Sequence, residues 1–102
     1  MITLNFGVGF PADSNVATLQ AAQAKVNVWQ TMFRKLTPGG GAYINEATFD
    51  DPTWKQDYFG SKYGRLLSIK QKYDPKYVLW QHTSVGTDTY WQPNDRGALC
   101  RV

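Results

Sequence analysis

Tyr43 and Asn45 stand two residues apart in the run Gly41-Ala42-Tyr43-Ile44-Asn45-Glu46-Ala47. A phenol and a carboxamide side by side can pass a proton and hold a developing charge. A phenol ordinarily titrates near ~10, so it serves as a base at neutral pH only beside a cation or a strong hydrogen bond. His82 is the only histidine, and its ring is the one side chain here whose unperturbed titration falls near neutrality. It is the third candidate for proton transfer. Cys100 is the only cysteine, so an intrachain disulfide is excluded, and no Cys/His set has metal-ligand spacing. Gly7-Val8-Gly9 lacks the third glycine and the spacing of a dinucleotide fingerprint.

These groups need elements to position them. Ile2, Leu4, Phe6 and Val8 alternate with Thr3, Asn5 and Gly7, which predicts a strand with one oily and one polar face. Leu19, Ala22, Val26, Trp29, Phe33 and Leu36 step by three and four, the stripe of an amphipathic helix over 15–36. Asp13, Ser14 and Asn15 offer its N-cap, and Thr37-Pro38-Gly39-Gly40-Gly41 stops it. The spacing predicts a second strand over 42–47. Asp51-Pro52 reads as a cap followed by a first-turn proline, opening a short helix through Phe59. Ser61 opens a longer one to Tyr73, ended by Asp74-Pro75. Residues 77–82 read as a third strand and the rest as an irregular tail. The expected fold class is α+β: one domain over 1–102, with a small, mainly antiparallel sheet and helices packed on one face. By parity Thr3, Asn5, Tyr43 and Asn45 would share the sheet's other face.

With 102 residues, 42% of them hydrophobic and 15% aromatic, there is room for one domain and too much apolar content for a disordered chain. The net charge of +3 is mild. Lys62, Arg65, Lys70, Lys72 and Lys76 are dispersed, which reads as a solvated helix face and not as a nucleic-acid patch. The start MITLNFGVGF reads as neither a signal peptide nor an anchor. No stretch approaches the ~20 apolar residues of a membrane span, and a cytoplasmic location is expected.

Tyr43-Ile44-Asn45-Glu46-Ala47, Asp51-Pro52 with Trp54, Phe59-Gly60 with Lys62-Tyr63, Leu66-Leu67, Ile69-Lys70 and Lys72-Tyr73-Asp74-Pro75 follow one another in order. Val85-Gly86, Trp91 and Gly97-Ala98-Leu99-Cys100 complete the series. As a series it resembles the C-terminal berberine-bridge-enzyme-like segment of FAD-linked oxidoreductases, over roughly residues 40–100 and most closely the fungal type. The resemblance implies a substrate-domain sheet that roofs a flavin, with the tyrosine of a Tyr-x-Asn pair acting as, or assisting, a base. That pair maps to Tyr43 and Asn45. The family's flavin-binding domain has no counterpart in these 102 residues, so no cofactor is expected for this chain alone.

Without that domain the roofing face would stand open. Tyr43 and Tyr77 or Trp80 would then be bare, and such a patch usually marks a binding surface. A twofold homodimer would close it around an aromatic-lined pocket for a small hydrophobic or conjugated molecule. Thr3, Asn5, Tyr77 and Trp80 are the expected substrate-binding residues; Tyr43, Asn45 and His82 are the expected catalytic ones. Met1 opens a patterned strand, and the chain ends just past the family's last motif, which predicts a complete small protein. The expected function is therefore a cofactor-independent natural-product enzyme, performing a cyclisation, isomerisation or pericyclic reaction by orientation and a few hydrogen bonds. The alternatives are a C-terminal fragment or partner subunit of an FAD-linked oxidoreductase, and a non-catalytic binder. Neither nucleic acid nor membrane is an expected partner.

Overall fold

A computed structural model describes residues 3–94 and 96–102. The chain divides into two compact units, Met1–Gly40 and Gly41–Val102.

In the first unit, residues 3–10 run without strand pairing. Ile2, part of the expected first strand, lies outside the described residues. Ser14 closes a turn by donating both N–H and Oγ–H to the Pro11 carbonyl. Asn15 then caps α1 (Val16–Leu36), its Oδ1 accepting the Thr18 N–H at 3.0 Å. Such a cap contributes about 1 kcal/mol. Arg34 and Lys35 lie in the last turn, where the helix dipole favours cations. Phe6 stacks on Phe33 at 5.1 Å between ring centres and meets Trp29 edge-on at 5.9 Å. Even so, the apolar stripe stays open: Trp29 is 36% exposed, Phe33 38% and Leu36 75%.

The second unit begins with a 3-10 turn over Ile44–Glu46, closed by the Glu46 N–H on the Tyr43 carbonyl at 2.9 Å. The expected strand over 42–47 is therefore absent, because a local i→i+3 bond takes the donor a ladder would use. Asp51 accepts the Thr53 N–H at 2.8 Å and the Thr53 hydroxyl at 3.0 Å, the expected capping role. The turn that follows is π-helical, Lys55–Phe59. A short 3-10 segment, Gly60–Lys62, leads into α2 (Tyr63–Tyr73).

Asp74 ends α2 and organises the next segment. Its carboxylate accepts the N–H groups of Val78 at 2.8 Å and Leu79 at 3.0 Å, and Lys70 Nζ lies 2.6 Å from it. Lys70 also donates to the Leu79 carbonyl at 2.6 Å. The expected third strand over 77–82 is thereby overturned: a side chain captures the backbone donors that pairing needs. The Lys70 ammonium, and secondarily these backbone donors, hold the Asp74 carboxyl below the usual carboxylate range.

Strands do occur, in the segment expected to be irregular. α3 (Thr87–Tyr90) runs directly into β1 (Trp91–Pro93), which pairs antiparallel with β2 (Leu99–Arg101) in the register Trp91↔Arg101, Gln92↔Cys100, Pro93↔Leu99. The Asn94 side chain holds the turn by accepting the N–H groups of Arg96 and Ala98, both at 3.0 Å. The α+β class with a small antiparallel sheet thus holds, although the sheet is built from other residues than those expected. It holds none of Thr3, Asn5, Tyr43 and Asn45, so the shared sheet face proposed for them does not exist.

The core is small. Among the described residues the buried apolar side chain is Tyr77, 4% exposed, accompanied by Asp51 at 2% and Thr87 at 8%. Tyr77 stacks on Tyr90 at 5.8 Å. The chain exposes 7992 Å². Two separate globules of the two units' sizes would expose only about 7,000 Å². No helix among the described residues is long and apolar enough to cross a membrane.

Candidate functional site

Tyr43 and Asn45 are joined: Asn45 Nδ2 donates to the Tyr43 hydroxyl oxygen at 3.1 Å. The 3-10 turn places them so. A carboxamide donor on the phenolic oxygen makes a charge-neutral hydrogen bond that orients the hydroxyl. The pair is also open to water, with Tyr43 65% exposed, and water weakens every such electrostatic effect. The pair gains strength only where another surface covers it.

A second constellation lies elsewhere in the same unit. Trp54, Trp80 and Trp91 wall a hollow of about 260 Å³, with Phe49 and His82 at its rim and Asp50, Asp51 and Asp88 among its lining. Trp80 is fixed by its indole N–H on the Thr87 carbonyl at 3.1 Å. His82 packs edge-on to Trp80 at 4.7 Å and to Phe49 at 5.8 Å. Trp91 is anchored by its indole N–H on the Lys76 carbonyl at 3.2 Å. Thr87 donates its hydroxyl to the Ser84 carbonyl. Lys55 Nζ sits 2.6 Å from Asp88, with its ammonium 5.4 Å from the Trp54 ring centre and 5.3 Å from that of Tyr63. Its hydrogen bond to Asp88 raises the Lys55 pKa against the opposing effect of desolvation.

The expected site residues therefore part company. Tyr43 and Asn45 meet each other but do not line the hollow. His82 and Trp80 meet inside it. Tyr77, expected to stand bare on a binding face, is instead the buried side chain of the core. Thr3 and Asn5 lie exposed in the first unit. Sequence reasoning missed Trp54, Trp91, Phe49 and the three aspartates as neighbours of His82. The one available signal was the Asp51-Pro52 cap, which correctly placed Asp51 at an element's start but said nothing of what it faces.

A flavin dinucleotide does not fit the hollow. Its volume is about 260 Å³, below the ~300 Å³ at which pockets for drug-sized molecules begin.

A mixed α+β segment with a joined Tyr-x-Asn pair and little core of its own is the class of structure that the fold and the site define. Residues 42–86 match the family model described as "Berberine and berberine like", and this segment belongs to that family as it occurs in fungal FAD-linked oxidoreductases. The chain is 43% identical over 73 residues to the VAO-type flavoprotein oxidase VAO615 of Thermothelomyces thermophilus, covering 72% of this chain and 12% of that protein. It is 46% identical over 70 residues to the bifunctional decalin synthase calF of Penicillium decumbens, covering 65% of this chain and 12% of that one. The crystal structure of the VAO-type flavoprotein MtVAO713 from Myceliophthora thermophila superposes with a TM-score of 0.86 at 31% identity, over 94% of this chain and 17% of that one. The chain thus spans about an eighth to a sixth of the length of these relatives.

Proposed function

We propose that the chain acts as the berberine-like wall of a secondary-metabolism catalyst, seated against the surface of a larger flavoprotein body. In this reading Tyr43 moves a proton to or from a small conjugated substrate and Asn45 orients its hydroxyl. The observation that carries it is the uncovered surface: 7992 Å² exposed, with a single apolar side chain buried among the described residues. Against two separate globules of the units' sizes the excess is on the order of 1,000 Å², the scale that one partner contributes to a specific protein–protein interface. Covering would also remove water from Tyr43 and Asn45 and strengthen the hydrogen bond they share.

Tyr43→Phe removes the hydroxyl and keeps the ring. Turnover of the covered assembly is expected to fall by about 10²–10⁴-fold, the usual worth of a positioned acid or base. Unchanged turnover would withdraw the role from Tyr43. Solution mass tests the covering itself: the purified chain is expected to self-associate, or to form a stoichiometric complex with an FAD-carrying partner. A well-behaved monomer that resists proteases would contradict it.

The likeness to a decalin synthase favours a second reading, in which the chain folds a polyene for cyclisation without redox chemistry, its open surface closed by a second copy. Colour separates the two. Turnover by a colourless preparation with no absorption near ~450 nm supports the second reading, and activity that appears only with a flavin-bearing partner supports the first.

A further inference from the structure

We infer that the π-helical turn Lys55–Phe59 positions the Tyr43–Asn45 pair, with Tyr58 and Gly41 as its positioning residues. The segment that carries the pair is tied at both ends to consecutive residues of this one turn. At its start the Ala42 N–H donates to the Asp57 carbonyl at 3.0 Å. At its end the Tyr58 hydroxyl donates to the Thr48 carbonyl at 2.8 Å. Between the two ties lie the 3-10 turn over Ile44–Glu46 and the bond from Asn45 to the Tyr43 hydroxyl. Tyr43 and Asn45 are both exposed, so burial does not hold their side chains. The backbone ties on either side of them set where the phenol stands.

Two features single this turn out. Gly41 lies outside the left-handed region, so its backbone does not call for glycine. Space does: a Cβ there would lie 2.5 Å from the Asp57 carbonyl oxygen, a main-chain atom that cannot swing aside. The second feature is the turn itself. π-helical turns are rare and occur frequently at functional sites. This one stops at Phe59, where Gly60 takes φ +55°. The Asp57 carbonyl therefore belongs to a helix end, where carbonyls lack partners within the helix, and Ala42 supplies the donor. The catalytic consequence rests on the proton-transfer reading of Tyr43: a misplacement of about 1 Å from a change outside the chemistry can cost about 10²-fold in rate. The positioning itself is measurable without activity.

The test follows the side-chain amide resonances of Asn45 in the intact chain. Tyr43→Phe removes the acceptor and defines the unbonded signal. Tyr58→Phe and Gly41→Ala are each expected to move the Asn45 signals at least halfway to that value, and to speed their exchange with water by about 3–10-fold, the loss of one ordinary hydrogen bond. Gly97→Ala is the control for plain destabilisation. It strains the β1–β2 hairpin of the same unit, at φ +77°, and is expected to lower Tm while leaving the Asn45 signals in place. In the covered assembly Tyr58→Phe is expected to lower kcat by about 10–100-fold with KM little changed. Asn45 signals that stay in place in both Tyr58→Phe and Gly41→Ala overturn the positioning, whatever the turnover. Signals that move as far in Gly97→Ala as in Tyr58→Phe also overturn it, and assign Tyr58 to general stability. Signals that move as expected, alongside full turnover in Tyr43→Phe, uphold the positioning and remove only the catalytic role of Tyr43.

Discussion

Gly86→Ala is the most informative single perturbation of the fold. Gly86 has φ +79°, and a Cβ there would lie 2.2 Å from Tyr77 Cε1, 3.0 Å from Tyr77 Cδ1 and 3.3 Å from Leu67 Cδ1. Two costs arise. The left-handed backbone costs a residue with a Cβ about 1–2 kcal/mol. The added methyl forces the Tyr77 ring off its stack with Tyr90, and overpacking of this kind costs about 1–3 kcal/mol. The expected loss is therefore about 2–5 kcal/mol. Gly97→Ala is the control. Its φ is +77°, but nothing lies within 4 Å of the added Cβ, so only the backbone cost of about 1–2 kcal/mol applies. Urea and thermal unfolding, followed by the aromatic circular dichroism of Tyr77 and Tyr90, read the difference. It is expected to be at least ~1 kcal/mol, or roughly 4–8 °C in Tm for a unit of this size. The double change Gly86→Ala with Tyr77→Leu is expected to lose less than the sum of its parts, because the smaller side chain makes room for the methyl. Equal losses for Gly86→Ala and Gly97→Ala, or strict additivity in the double variant, would refute the assignment of Tyr77 as the packing centre.

Asp51→Ala removes the acceptor of the Thr53 N–H and hydroxyl from a position only 2% exposed; a loss of about 1–3 kcal/mol is expected in the same unfolding assay. The Asp74 carboxyl is held below its ordinary range in the folded state, so its contribution is full above the unfolded value of 3.8 and is lost as pH falls through the folded one. Acid unfolding is expected to begin with release of the Val78 and Leu79 N–H groups, seen by hydrogen exchange, and Asp74→Asn is expected to flatten stability below about pH 4. Lys55 carries the opposite sign: its raised pKa means that its link to Asp88 is complete below 10.5 and fails as pH rises above it. The test is an alkaline melt compared with that of Lys55→Met, which is expected to show no such loss.

Helices were legible in the sequence where their causes are local. α1 carries its stripe, its Asn15 cap and its Thr-Pro-Gly-Gly stop within one continuous stretch, and it appears at Val16–Leu36 against an expected 15–36. α2 likewise ends at the expected Asp-Pro. The Tyr-x-Asn pair was legible too, although its two members meet across a 3-10 turn and not on a strand face.

The strands were not legible, because pairing is a property of two segments and periodicity a property of one. Residues 2–8, 42–47 and 77–82 read as strands, yet residues 3–8 have no ladder partner among the described residues, and the Tyr43 carbonyl and the Asp74 carboxylate take donors in the other two runs. The pairing of Trp91–Pro93 with Leu99–Arg101 depends on the Asn94 turn, which short propensity does not reveal. Composition fixed that the chain would be rich in aromatic side chains; only the tertiary structure decided that Tyr77 is buried while Tyr43, Trp29 and Leu36 stand open. Burial is a contest among all surfaces in reach, and no local pattern records which of them will be covered.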